Sequence, residues 1–297
     1  MSRRFAASSA ARMALSAASS LLVLSIIIAG VIIPSAAAFH LVPSVSSIRA
    51  NTSSSSSCRR ASSSISAADD ATMMIENAKQ QINQAISNTD KGRSGTSTQR
   101  SQILSKLIHL ESLNPTPNEP TRSPLVDGPW IVLYTDAPPP SNGQLGLFKG
   151  VAKQVIDLKR GTYRNELYVG GGGVEGVEED ENAWLEAVLE ATWKEWDGVY
   201  LDDGGDDKDD DSSVTATTTA SDTSSNIIDH GATTWRVDFI KLTLSIFQIP
   251  IFTQSFKEGT ARIWKMTYLD EDTRIVRAGK TGRGEDDWIF YMRRGRR

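Results

Sequence analysis

The sequence predicts a mainly β protein, an antiparallel β-barrel of about eight strands preceded by an α-helical hairpin. Three observations carry this expectation. Beyond residue 128, short segments alternate polar and apolar residues, the period of a half-buried strand. All seven tryptophans (positions 130, 184, 193, 196, 235, 264 and 288) fall in that region. Upstream, two segments instead repeat apolar residues at spacings of three and four, the period of a helix. A closed sheet of about eight strands has an interior filled by side chains or holding one small ligand, and large aromatics suit it.

The chain has 297 residues, and its first acidic residue is Asp69. Arg3, Arg4 and Arg12 lead into an apolar run over residues 21–33, followed by Pro34 and Ala36-Ala37-Ala38. That order defines a signal peptide over residues 1–38, although an uncleaved anchor is an alternative. The run is short for a span of about 20 residues. Residues 39–68 are rich in Ser and Ala, carry Arg49, Arg59 and Arg60, and lack acids, as a transit peptide does. A secreted protein with a Ser-rich stalk is the competing reading. A signal peptide joined to a transit peptide at Phe39 resembles the bipartite leaders of plastid proteins in algae with secondary plastids, such as diatoms. Without this leader, 26 Lys and Arg face 36 acids, a net charge of about −10. No basic footprint for nucleic acid is left. The single cysteine, Cys58, leaves with the leader, so the mature chain has neither disulfide nor thiolate ligand.

The helical hairpin is placed at residues 69–117. Its first helix is capped by Asp69 or Asp70 and carries Met74, Ala78, Ile82, Ala85 and Ile86 on one face. Lys91-Gly92-Arg93-Ser94-Gly95 breaks it. The second helix, from about Ser97 to Leu113, presents Ile103, Leu104, Leu107, Ile108 and Leu110. Asn114-Pro115-Thr116-Pro117 ends it, because proline removes a donor and restricts the residue before it.

The barrel domain is placed at residues 118–297. Its strands are predicted at 130–135, 151–158, 162–169, 235–246, 262–268, 273–277 and 288–292. Residues 183–196 fit a helix as well as one or two strands, which periodicity alone does not settle. Residues 202–230 are acidic and then Ser/Thr-rich, the composition of a disordered insertion.

Catalytic and metal motifs fail on inspection. Gly171, Gly173 and Gly176 match a dinucleotide loop, but Glu175, Glu178, Glu179, Asp180 and Glu181 would repel a pyrophosphate. Gly279-Lys280-Thr281 lacks the earlier glycine of a phosphate loop. His109 and His230 have no neighbours at metal-ligand spacing, and no calcium frame occurs in the acidic insertion. Asp270, Glu271 and Asp272 form a carboxylate cluster explained by ion pairing with Arg274 and Arg277 at a strand turn. No cofactor and no metal are expected.

Two resemblances follow. Gly128-x-Trp130 at the head of the first strand resembles the lipocalin entry signature, which implies a lipocalin-like barrel. In that fold the Trp closes one end under an arginine from a late strand, here Arg274 or Arg277. The longer resemblance is to the plastid lipid-associated protein/fibrillin family. It rests on Leu110-Glu111-Ser112-Leu113-Asn114-Pro115-Thr116-Pro117 with LVDGPWIVLYT at 125–135. A closing block matches too, Thr267-Tyr268-Leu269-Asp270-Glu271-Asp272-Thr273-Arg274-Ile275 with Arg277, then residues 288–293. Residues 170–182 and 202–230 depart from the family as insertions, and Ala278 precedes Gly279 where a glycine usually follows the arginine.

This resemblance implies a non-catalytic protein that binds or organises apolar lipids, quinones or carotenoids at plastoglobules or thylakoids, as a peripheral partner of their surface. Trp130, Tyr134, Trp235, Phe239, Tyr268 and Phe290 are the candidate ligand contacts in the barrel interior or at its end. Gly128, Trp130, Asp270, Arg274 and Arg277 form the structural motif. The alternatives are a lipocalin-like enzyme with Asp270, Glu271, Asp272 or Asp157 as acid or base, and an interaction module using the acidic loop.

Overall fold

The structure, a computed structural model, describes residues 67–170, 183–198, 229–280 and 283–296. Nearly all of the leader, the glycine-rich loop at 171–176 and nearly all of the 202–230 insertion lie outside the described residues. The chain divides into two compact units, Met1–Glu76 and Asn77–Arg297. Of the first, the described part is the opening of helix α1, which spans Ala67–Ile86. Asp69 and Asp70 lie inside its first turn rather than before it, where their charge complements the helix dipole.

In the second unit α1 buries Ala78, Ile82 and Ile86. Helix α2 spans Ser97–Ser112. Thr96 and Gln99 form a capping box, each side chain bonding the other's backbone N–H, which fixes the start of α2. Only part of the predicted stripe is buried. Ile103, Leu107 and Leu110 face the core, while Leu104 and Ile108 are exposed. Between the helices Asp90, Lys91 and Gly92 are all left-handed, with φ of 49°, 59° and 92°. A Cβ at Gly92 would lie 1.9 Å from the carbonyl oxygen of Thr135, so the turn approaches the sheet as only glycine allows. The Thr135 N–H donates to the Lys91 carbonyl at 3.3 Å and completes the joint.

Eleven strands follow among the described residues: β1 (Gly128–Thr135), β2 (Gln144–Leu145), β3 (Phe148–Lys149), β4 (Val151–Asp157), β5 (Thr162–Val169), β6 (Leu185–Glu195), β7 (Thr234–Ile246), β8 (Ile249–Ser255), β9 (Ala261–Leu269), β10 (Thr273–Lys280) and β11 (Arg283–Arg294). All recorded pairings are antiparallel. The main sheet has the order β6-β5-β4-β1-β11-β10-β9-β7-β8, and a further β6–β7 pairing closes eight of its nine strands into a ring. β7 makes closure possible through its length. One edge pairs with β6 throughout, while the other serves β9 over Thr234 to Asp238 and β8 over Lys241 to Ile246.

The ambiguous segment at 183–196 forms the single strand β6. β8 was not expected, because the strand before it was read as ending near Pro250. Proline is tolerated there since β8 is an edge strand whose outer N–H groups need no partner. His230, placed by sequence in the acidic insertion, lies instead in a one-turn 3-10 helix, His230–Ala232, with its ring edge-on to Trp196 at 5.2 Å. Arg122 ties the two described ends flanking the insertion, bonding Glu195 at 2.7 and 2.8 Å and Asp229 at 2.8 Å. These bonds hold the Glu195 and Asp229 carboxyls below their usual range.

The interhelical turn is fastened to the β2–β3 region by charge. Arg93 bonds Asp90 at 2.5 Å and the Gly143 carbonyl at 2.9 Å, and Lys149 bonds Asp90 at 2.7 Å. The Arg93 hydrogen bond, followed by that from Lys149, lowers the Asp90 pKa from 3.8 to about 2. A depressed carboxylate pKa contributes stability that is complete above the unfolded value and is lost as pH falls through the folded one. Acid titration of stability should therefore show a loss between pH 4 and 2, and Asp90→Asn should reduce it by the Asp90 share, leaving that of the other lowered carboxyls.

Candidate functional site

The two faces of the ring differ. One carries an aromatic cluster that includes Trp130, Val132, Tyr163, Trp235, Val237, Trp264, Met266, Leu269, Phe290 and Met292, with Trp193, Phe239 and Trp288 packed against it. Trp193 and Trp235 stack at 4.1 Å, and Trp264 lies between Tyr163 at 5.4 Å and Phe290 at 5.2 Å. The opposite face of β9, β10 and β11 meets the helices. There Tyr291 bonds Asn83 at 3.3 Å, and Arg277 bonds Glu111 at 2.8 and 2.9 Å.

Two β-bulges decide which residues reach which face. Val132 pairs with Met292 but Tyr134 with Tyr291, so Leu133 is an extra residue in β1. Val276 pairs with Met266 but Ile275 with Tyr268, so Thr267 is extra in β9. One extra residue reverses the alternation beyond it. Trp130, Trp235, Phe239 and Phe290 accordingly join the aromatic cluster. Tyr134 and Tyr268, the other candidates named from sequence for the barrel interior or its end, do not. They are turned to the opposite face, in register with Tyr291 and Ile275. Burial there pushes the Tyr134 hydroxyl above its ordinary pKa.

The bulge in β9 is held by the segment that ends α2. The Asn114 side chain donates to the Thr267 carbonyl at 3.1 Å and accepts from the Leu269 N–H at 3.2 Å. The Thr267 hydroxyl donates to Glu111 at 2.5 Å. Glu111 therefore bridges the bulge to Arg277. The two sequence blocks that carried the family resemblance meet at this point.

Arg274 and Arg277 separate by face. Arg274 enters the ring and lies over the Trp130 ring at 5.1 Å, with Arg294 over the same ring at 4.3 Å. Trp130 is fully buried, and its indole N–H donates to the Val126 carbonyl at 2.8 Å. Arg294 bonds the carbonyls of Leu125, Asp127 and Glu271, so it ties the entry of β1 to the β9–β10 turn. Gly128, with φ of 105°, lets the chain turn into β1. Asp270 takes the Thr273 N–H at 2.8 Å and the Tyr268 hydroxyl, and forms an ion pair with Lys79 at 2.8 Å. Lys79 also bonds Asp272 at 2.7 Å. The two aspartates of the carboxylate cluster are thus paired by α1 rather than by Arg274 and Arg277. Burial is the largest single influence on Asp272 and opposes its ionisation, but the Lys79, Thr273 and Asp270 hydrogen bonds and the Lys79 charge together keep its pKa low. Asp157 accepts the Arg160 N–H at 3.0 Å in the β4–β5 turn.

Inside the ring Arg274 is 1% exposed and has no carboxylate partner among the described residues. It donates to Gln154 and approaches the Met292 sulfur at 3.4 Å. Its Nε–H is unpartnered, as are the buried indole N–H groups of Trp193, Trp235 and Trp264. Burial pushes the guanidinium down to about 10, still charged at neutral pH. Four buried donors, one of them on a cation, are therefore left without a partner in a cluster that is mostly apolar. Such groups are costly to bury and suit an oxygen-acceptor ligand or water. Sequence reasoning missed Gln154, Arg294 and the Trp193–Trp235 stack. Alternation of Trp193 and Trp235 with polar neighbours was the one signal that could have found the stack. No group of three or more His, Cys, Asp or Glu that could hold a metal occurs among the described residues.

These features define an antiparallel strand ring with a helix-covered outer face and an aromatic interior that carries one buried guanidinium. The PAP_fibrillin family model matches residues 76–175, and the resemblance is to the plastid lipid-associated protein/fibrillin family. The matched stretch runs from α1 into the segment after β5, so the closing block lies beyond it. A plastid-lipid-associated protein, chloroplastic, from Citrus unshiu is 31% identical over 102 residues, covering 33% of this chain and 32% of its own length. Light-induced proteins, chloroplastic, from Solanum demissum and Solanum tuberosum are 32% identical over 102 residues, covering 33% of this chain and 31% of theirs. The chain spans about a third of the length of the curated relatives it matches. These relatives are chloroplastic, in line with the plastid destination read from the leader.

Removing the bulge support has a defined cost. Glu111→Ala removes the carboxylate that Arg277 and Thr267 share, and should lower stability by about 2–4 kcal/mol in denaturant titration.

Proposed function

We propose that this chain is a plastid lipid-associated protein that holds an amphiphile inside the strand ring without catalysing its conversion. The ligand class is an apolar lipid, quinone or carotenoid with an oxygen acceptor at one end. The observation that carries this reading is the buried Arg274 guanidinium, without a carboxylate partner among the described residues, in a ring whose aromatic cluster holds three further unpartnered indole N–H groups. The printed name of the Citrus relative, a plastid-lipid-associated protein, supports the lipid class. A non-catalytic role is supported by the state of the carboxylates considered as acid or base. Asp270 and Asp272 both pair with Lys79 on the helix-covered side, and Asp157 shapes a turn.

Magnitudes show why the head group matters. A buried sixteen-carbon chain gains roughly 12 kcal/mol at about 0.8 kcal/mol per methylene. Association and ordering cost about 4–15 kcal/mol, which can cancel that gain. Hydrogen bonds to a charged group contribute about 1.5–3 kcal/mol each and then decide whether binding is measurable.

Tryptophan fluorescence titration with hexadecanoate tests this. The paired variant Gln154→Leu/Arg274→Met replaces the polar contact by apolar groups of similar size. It should change stability by less than about 1.5 kcal/mol and weaken binding by about 10- to 100-fold. Equal binding by variant and wild type would remove Arg274 as the head-group site. No saturable quenching of the wild type by hexadecanoate or by a quinone would remove the ligand reading altogether.

A further inference from the structure

The β7–β8 hairpin stands apart from the rest of the surface. Residues 242–256 contain no charged residue, in a chain in which 23% of residues are charged. Its tip is apolar and open to solvent, with Phe247 70% exposed and Ile249 67% exposed. Phe247 and Gln248 both have positive φ, 48° and 65°, the two-residue turn that Asn and Gly adopt most readily. An aromatic residue is therefore held outward in a conformation it does not favour. A second apolar tip lies beside it. Leu147, between β2 and β3, is 82% exposed, and its neighbour Phe148 packs edge-on against Trp184 at 4.9 Å. The Trp184 carbonyl accepts the Phe247 N–H at 2.8 Å, which joins the two tips.

The edge of β8 identifies the kind of partner. An exposed apolar edge strand ordinarily invites another strand. Here Pro250 lacks an N–H, and Ile251 is an extra residue between Phe252, paired with Leu244, and Pro250, paired with Ser245. Both features spoil the edge for backbone pairing with a second copy. No charge is present to steer a charged partner, and the chain is acidic overall. Apolar side chains on a protruding, uncharged turn with a blunted edge suit a medium that takes side chains and asks for no backbone bonds. We propose that the β7–β8 tip, with Leu147, inserts into the acyl region of an uncharged lipid surface. This deepens the lipid-associated reading by naming the contact surface, and it does not require a ligand inside the ring.

The test uses the full chain carrying Cys58→Ser and Gln248→Cys, labelled at the new cysteine with an environment-sensitive fluorophore, and phosphatidylcholine vesicles. The label should brighten several-fold and be quenched by lipids doxyl-labelled in their acyl chains, equally at 0.1 and 1 M NaCl. A label introduced by Arg160→Cys, in the β4–β5 turn, should do neither and controls for contact made by the apolar leader. Adding Phe247→Ser and Ile249→Ser should reduce quenching at position 248 at least tenfold while hexadecanoate titration is unchanged. Phe247→Asn/Ile249→Ser, which keeps a residue that favours the turn, should give the same loss and excludes hairpin unfolding as its cause. Vesicle-bound protein without quenching at 248 would overturn the proposal. So would a dimer in sedimentation equilibrium that the tip variants dissociate. Loss of hexadecanoate binding with quenching at 248 intact would sink the ring-ligand reading alone.

Discussion

Glu111 and Asn114 hold a one-residue bulge in β9, and the two-sided character of the ring depends on it. Thr267 is accommodated because the Asn114 side chain supplies the acceptor and donor that a regular ladder would have offered its neighbours. Beyond the bulge Tyr268 faces the helices and Leu269 faces the aromatic cluster. Arg277 and Arg274, three residues apart on the next strand, meet opposite environments because an odd spacing along a strand changes face. One finds a carboxylate from α2, and the other enters the aromatic interior, where no carboxylate among the described residues pairs with it. A regular β9 would turn Tyr268 inward and leave Asn114 only its local bonds to Thr116.

Much of this organisation was legible in the sequence. Helical spacing located α1 and α2, and strict alternation located β4, β5 and most of β7. The resemblance to plastid lipid-associated proteins pointed to the two blocks that turn out to touch. The missed features share one cause. Period-two reasoning assumes an unbroken pleat, and a bulge carries no composition mark at Leu133 or Thr267. Tyr134 and Tyr268 therefore sit on the face opposite the aromatic cluster, which alternation alone does not reveal. Lys79 could not be matched to Asp270 and Asp272 from spacing, because nearly two hundred residues separate them. β8 was hidden by Pro250, which argues against a strand everywhere except at an edge.

The apolar groups of the ring fall into two sets with different physical consequences. The aromatic cluster is enclosed, so its energy comes from packing and its unpartnered N–H groups are the anomaly. Phe247, Ile249 and Leu147 are open, so their own exposure is the anomaly. A lipid-associated protein has use for both arrangements. An acceptor head group would satisfy the interior donors, and an acyl surface would cover the exposed tips. β6 and β7 link the two regions, carrying Trp193 and Trp235 at one end of their pairing and Leu185 and Ile246 at the other.

Native mass spectrometry of the purified full chain tests the central claim most directly. The account predicts that lipids co-isolate with it, that they carry a carboxylate or carbonyl head, and that they are absent from Gln154→Leu/Arg274→Met. A wild-type protein that retains only hydrocarbons without an oxygen acceptor, or nothing at all, would contradict it.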